Sequence, residues 1–405
     1  MPVDIHKLQN RTLSVLVGAQ LFTGAGISAG IVVGALLAED IFGSTSAAGV
    51  PATVFTIGSA LAALTVGMIS QRRGRRVGLA AGYIVSALGA AGVVAAAELD
   101  SIPLFIASLF FYGAAFSTNL QARYAGADLA RPEARATAVS IVLVATTVGA
   151  VIAPNLTELT GDLMGQVDLP RLAGPFLLSA IVLAIASVLL TALLRPDPLL
   201  TARELASNAP PTDDAIGEGD RRGVRVAVAV MVLTQLVMVA IMTMTPIHMR
   251  DHGHSLSDTG MVISLHIAAM FLPSPITGIA VDRYGRRPMI AAAGIVLLAA
   301  GLLAAVAPAN SMVLLSIALV LLGLGWNFGL IAGTALITDS VPLATRATTQ
   351  GRADLLIALA GSAGGLSSGL IVAGTSYATL GLIGGVMALL MIPLLFAAPS
   401  RRVAV

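Results

Sequence analysis

Apolar stretches of about 20 residues or more recur twelve times along this chain of 405 residues, separated by short polar breaks. A helix needs about 20 residues to cross the hydrocarbon of a bilayer. Lipid offers no partner to a backbone N–H or C=O, so spanning segments of this length must satisfy their own backbone as helices. The predicted spans are 14–38, 47–70, 76–97, 102–124, 136–157, 172–194, 223–247, 257–281, 288–307, 311–335, 346–373 and 376–397. Hydrophobic residues make up 57% and charged residues 11%, with mean hydropathy +0.92, values outside those of a soluble domain. The fold class is an all-α integral membrane protein. The first span is longer than a signal-peptide core and eleven more follow it, so it is read as a retained helix.

If both termini are cytoplasmic, every one of the 23 basic residues except Arg171 and Arg250 lies in a cytoplasmic segment or at a cytoplasmic helix end. The positive-inside rule sets that orientation. It also accounts for the basic isoelectric point, because the arginines are spread over short loops with no aromatic platform beside them for nucleic acid. Lys7 is the single lysine, and arginine, alanine and glycine are strongly preferred, as in a GC-rich bacterial genome. A bacterial inner membrane is the expected location. No cysteine is present, which excludes thiolate ligands, disulfides and thiol redox switching.

The chain repeats itself at a constant offset of 211: Gly67, Gly74, Arg75 and Arg76 recur as Gly278, Gly285, Arg286 and Arg287. Asp128, Arg135, Ala136 and Thr137 recur as Asp339, Arg346, Ala347 and Thr348. Two six-helix halves, 1–194 and 223–405, are therefore related by duplication, with a Pro-rich and charged cytoplasmic linker at 195–222. A short amphipathic turn around Leu199 to Leu205 is compatible with that linker, to which no chemistry is assigned. An even number of helices per half gives parallel repeats. The stretch GIAVDRYGRR, with Gly278, Asp282, Arg283, Gly285, Arg286 and Arg287, resembles the loop signature of the major facilitator superfamily. That resemblance implies the twelve-helix fold and a role for these residues in conformational gating. The first copy, GMISQRRGRR, has Gln71 in place of the acid, so the first half departs from that signature at the residue its charge relay uses.

Four of the five histidines and seven of the fourteen methionines fall between Met231 and Met270. Met238 and Met242 form one i,i+4 pair and His266 and Met270 another, each on one helix face. In the first half the equivalent positions are Ile27, Ile31, Phe55 and Ser59, so the cluster is added to the duplicated scaffold. Methionine is a common gap-filler, but an ionisable residue inside a span is a functional candidate by default. Helix rise puts the four at depths of roughly 9 to 20 Å from the outer ends, and thioether with imidazole suits cuprous copper.

Met-x-x-x-Met in the seventh helix followed by His-x-x-x-Met in the eighth resembles the CcoA-type copper importers. The resemblance implies a copper importer of the inner membrane that supports assembly of the cbb3-type cytochrome oxidase, with Met238, Met242, His266 and Met270 as the site. Copper, as ion or complex, is then the cargo and no resident cofactor is expected. The expected partners are that cargo and membrane lipid, with no nucleic acid and a monomeric state. His248, Met249, His252 and His254 in the outer loop form a second group that either captures the ion or is simply a solvated loop. Gln20, Asn119, Gln121, Arg123, Asn155, Gln235, Asn327, Gln350, Arg352 and Asp354 line a hydrated path or tie helices together. No carboxylate is placed clearly at mid-membrane. The alternative function is a proton-coupled exporter of drugs or metabolites, since GAVIAP at Gly149 to Pro154 partly resembles the antiporter motif. No nucleophile and base constellation or phosphate loop points to an enzyme.

Overall fold

A computed structural model describes residues 4–42, 50–152, 156–166, 169–208 and 220–397. Among the described residues all regular structure is helical, and twelve helices are long and apolar enough to cross a membrane. They are α1 (Ile5–Phe42), α2 (Val50–Arg73), α3 (Arg75–Glu98), α4 (Ile102–Ala127), α5 (Arg135–Ile152) and α6 (Gly174–Leu193). The second half supplies α7 (Arg221–Asp251), α8 (Ser257–Tyr284), α9 (Arg286–Val306), α10 (Met312–Ser340), α11 (Arg346–Gly374) and α12 (Tyr377–Leu395).

Helix starts are encoded locally. Asp220 caps α7 by accepting from the backbone N–H groups of Arg222 and Gly223, and Ser311 and Ser376 cap α10 and α12. Ser255 and Asp258 form a reciprocal capping box at the start of α8. The beginning of α1 lies well before the predicted start at 14, because its polar first turns dock elsewhere: Leu8 is buried and Gln9 Nε2 donates to the Gly126 carbonyl at 2.7 Å. Tertiary contact overrides hydropathy there.

The linker is also more ordered at its start than a flexible tether. Asp197 caps a helix at Pro198–Ser207, and its Oδ2 accepts from the Arg76 backbone N–H at 2.7 Å. Gly74, at φ 90°, is required at this contact, because a Cβ there would collide with the Asp197 carboxylate. Residues 209–219 of the linker, and Ala153, Pro154 and Asn155 beyond the end of α5, lie outside the described residues.

Two compact units emerge. One contains residues 1–130, 141–210 and 343–358, and the other 131–140, 211–342 and 359–405. Each six-helix sequence half therefore gives the start of its fifth helix to the unit built mainly from the other half.

Candidate functional site

The repeated residues form matching contacts in the two units. Arg75 Nε is 2.8 Å from Asp128 Oδ2, and Arg346 Nη1 is 3.8 Å from Asp128 Oδ1. In the second unit Arg286 Nε is 2.9 Å from Asp339 Oδ2 and Arg135 Nη1 is 2.6 Å from Asp339 Oδ1. Asp282 receives the Ala136 and Thr137 backbone N–H groups at 3.1 and 2.8 Å, capping the first turn of α5. Gln71 does the same for α11, its Oε1 accepting from the Ala347 and Thr348 N–H groups at 2.7 and 3.4 Å. Its Nε2 donates to the carbonyls of Leu343 and Ala344. The missing acid in the first copy therefore costs the loop its charge but not its cap, because an amide oxygen accepts the same hydrogen bonds. Gly67 and Gly278 let these helices approach, since a Cβ would lie 2.9 Å from the Ala347 carbonyl oxygen or 2.7 Å from that of Ala136.

The soft cluster is organised by α10. Leu319, Gly323 and Asn327, spaced four apart on one face of α10, hold the His266 to Met270 stretch of α8. His266 Nδ1 is 2.7 Å from the Leu319 carbonyl oxygen. A Cβ on Gly323 would stand 2.6 Å from the His266 carbonyl oxygen. Asn327 Nδ2 donates to the Met270 carbonyl and to Ser274 Oγ, both at 2.7 Å. An adjoining face of α10 holds α7: Trp326 Nε1 donates to Gln235 Oε1 at 2.7 Å, Gly329 faces Thr234, and Gly333 faces Met231.

Because a carbonyl oxygen only accepts, Nδ1 of His266 carries the ring proton and Nε2 presents its lone pair. His266 is 0% exposed, and Nε2 has no hydrogen-bond partner among the described residues. Met270 lies one turn away at 8% exposure and Met238 on α7 is at 3%; Met242 is half-buried. Sequence adjacency suggests that α7 and α8 share a cavity directly, yet both pack far more extensively on α10 than on each other. Pro246 lies inside α7 and has no N–H to donate to the carbonyl four residues back, which belongs to Met242.

The second histidine group, at the end of α7 and in the loop between α7 and α8, divides. His248 stacks on Tyr377 with ring centroids 4.3 Å apart and lies beside His252 at 4.4 Å. His252 Nδ1 bonds the His248 carbonyl at 2.8 Å, leaving its Nε2 as the lone-pair nitrogen. His254 instead uses Nε2 to bond the Ala309 carbonyl at 2.9 Å, and Met249 is wholly buried.

Most other polar residues tie helices together. Gln20 receives Tyr83 Oη at 2.8 Å and donates to the Asn119 carbonyl, and Gln121 donates to the Ala63 carbonyl. Asn119 Nδ2 donates to Thr23 Oγ1 at 2.9 Å. Asp354 is the case that the sequence understated: it is buried two turns into α11, paired with Arg123 at 2.7 Å. Arg352 is exposed.

The sequence model of the Major Facilitator Superfamily matches residues 16–256 and 226–404. The chain is 56% identical over 406 residues to an uncharacterized MFS-type transporter, YdeG, of Bacillus subtilis (strain 168), covering 99% of this chain and 94% of that protein. It is 30% identical over 390 residues to the riboflavin transporter RfnT of Brucella anthropi, covering 95% of each. Among solved structures it is similar to the human organic anion transporter MFSD10 (TETRAN), with TM-score 0.76, 17% identity, and coverage of 96% of this chain and 99% of that one. With its twelve membrane helices and duplicated loop signature, the chain belongs to the major facilitator superfamily and is a multi-pass membrane transporter.

Proposed function

We propose that the cargo is cuprous copper, carried by alternating access across a bacterial inner membrane into the cytoplasm, where both termini lie, in support of cbb3-type oxidase assembly. The observation that carries this reading is the buried, unpartnered Nε2 lone pair of His266, one turn from Met270 and joined through α10 to the helix bearing Met238 and Met242. An imidazole nitrogen and thioether sulfurs form a soft donor set. Leaving such a nitrogen dry and unpaired costs about 1 to 3 kcal/mol, which a transient ligand relieves. In this reading α7 and α8 close their sulfurs around the ion during the cycle, and His248 with His252 captures it at the outer loop.

A second reading, transport of an organic solute, is favoured by the 30% identity to a riboflavin transporter. Uptake of radioactive copper and of labelled riboflavin, measured in the same cells with and without this chain, separates the two. Copper accumulation that depends on the chain and is lost in the Met238→Leu, Met242→Leu double variant supports the first. Copper accumulation indifferent to the chain overturns it, and chain-dependent riboflavin uptake then supports the second.

A further inference from the structure

The two neighbouring arginines that begin α3 are employed differently. Arg75 is buried and spends its guanidinium on Asp128 and Gln350. Arg76 is half-buried and reaches α6, where its Nη1 donates to the Thr191 carbonyl at 3.4 Å. Arg195, exposed just past the end of α6, donates from Nε to the same oxygen at 3.3 Å. That oxygen is open to side chains because the N–H four residues on, which belongs to Arg195, donates instead to the Leu193 carbonyl at 2.7 Å.

Two guanidiniums therefore meet at one carbonyl. The whole C-terminal end of a helix carries only about half a negative charge, so capping accounts for one arginine there and leaves the second repelled by the first. Each guanidinium has five N–H donors and directs one of them to Thr191. The nearest acid in sequence, Asp197, is committed to backbone: its Oδ2 accepts from the Arg76 N–H and its Oδ1 from those of Leu199 and Leu200. Neither Arg76 nor Arg195 forms an ion pair among the described residues, and neither do Arg72 and Arg73, which are exposed at the end of α2. Converging guanidiniums with donors to spare match the oxygens of a phosphate group.

The surface next to them is apolar. α3 and α6 pack against each other, and Ile181, Ile185 and Val188 of α6, spaced four and three apart on one face, are exposed together with Ile84 and Leu88 of α3. Val188 lies one turn from Thr191, so the apolar strip starts directly beside the arginines and runs into the hydrocarbon. A ligand that fits both parts carries a phosphate at one end and an alkyl chain at the other. We infer that Arg76 and Arg195 hold the phosphate of an anionic phospholipid whose acyl chain lies along the exposed strip of α6. Arg72 and Arg73 add positive charge close by in sequence, which disfavours a headgroup that carries its own cation. This inference rests on the chain spanning a membrane and is independent of the identity of its cargo.

The full chain in a neutral detergent, titrated with phosphatidylglycerol or with phosphatidylcholine of the same acyl chains, tests it by native mass spectrometry of bound lipid. A single phosphatidylglycerol is expected to bind on the order of tenfold more tightly than phosphatidylcholine. That preference is lost in the Arg76→Gln, Arg195→Gln variant and kept in Arg221→Gln, Arg225→Gln, which removes the same charge from exposed positions of α7. Inorganic phosphate at the same concentration leaves the lipid bound. If the first double variant fails to fold, Arg195→Gln alone, beyond the end of α6, decides by the same criterion. An equal loss in the two double variants shows a diffuse attraction to basic residues and overturns the proposal. Displacement of the lipid by inorganic phosphate overturns it in favour of a soluble anion, and a parent without preference overturns it outright.

Discussion

At the residue scale, His266 has one ring nitrogen committed to α10 and the other unpaired in a dry site, so its neighbours decide what it can bind. Met238→Leu and Met270→Leu keep volume and apolarity while deleting sulfur, and such swaps usually cost less than about 1.5 kcal/mol. Each is expected to leave thermal stability near that of the parent while lowering copper accumulation about tenfold, as measured by metal content at matched membrane abundance. Unchanged accumulation in both would remove the thioethers from the site. The cluster stands out as a candidate in the sequence because histidine and methionine are concentrated in a chain that is otherwise aliphatic. Its state was not legible, because the partner that fixes the His266 tautomer is Leu319, 53 positions away. Asp354 and Arg123 were both visible as polar residues inside spans, but their pairing was not, because they lie 231 positions apart.

At the element scale, α10 aligns α7 and α8, and Gly323 is where α8 comes closest. Gly323→Ala places a methyl group against the His266 carbonyl, and overpacking of this kind costs about 1 to 3 kcal/mol. It is expected to lower the unfolding temperature and to reduce uptake by moving His266 and Met270 together away from α10. At Gly260, also within α8, an added methyl meets no described atom within 4 Å. Gly260→Ala is therefore expected to do neither and to gain up to about 1 kcal/mol from helix propensity. Similar thermal shifts in the two variants would show that the close approach at Gly323 is unimportant. The twelve helices themselves were readable from hydropathy, since lipid demands long apolar runs. The order at the two polar ends was not, because the first turns of α1 and the helix at Pro198–Ser207 form on docking contacts made by Gln9 and Asp197.

At the scale of the whole molecule, duplication has left two loops that each cap a helix from the opposite sequence half, one through a carboxylate and one through an amide. Because Gln71 accepts the α11 N–H groups with an amide oxygen, Asp282→Asn is expected to retain much of the α5 cap, whereas Asp282→Ala removes it entirely. Loss of a side-chain cap costs about 1 kcal/mol, roughly a fivefold change in a conformational equilibrium. Since the contact joins the two halves of the sequence, that change should fall on the equilibrium between transport states. The expected order of transport rate is parent, then Asp282→Asn, then Asp282→Ala, with Gln71→Ala matching Asp282→Ala. Copper affinity in detergent should stay within about twofold of the parent throughout, because the ligand candidates lie on other segments of α7 and α8. Vesicle uptake beside equilibrium binding measures both quantities. If Asp282→Asn is as slow as Asp282→Ala, the charge rather than the cap is what the loop contributes, and Gln71 would then mark a half whose loop has lost its role.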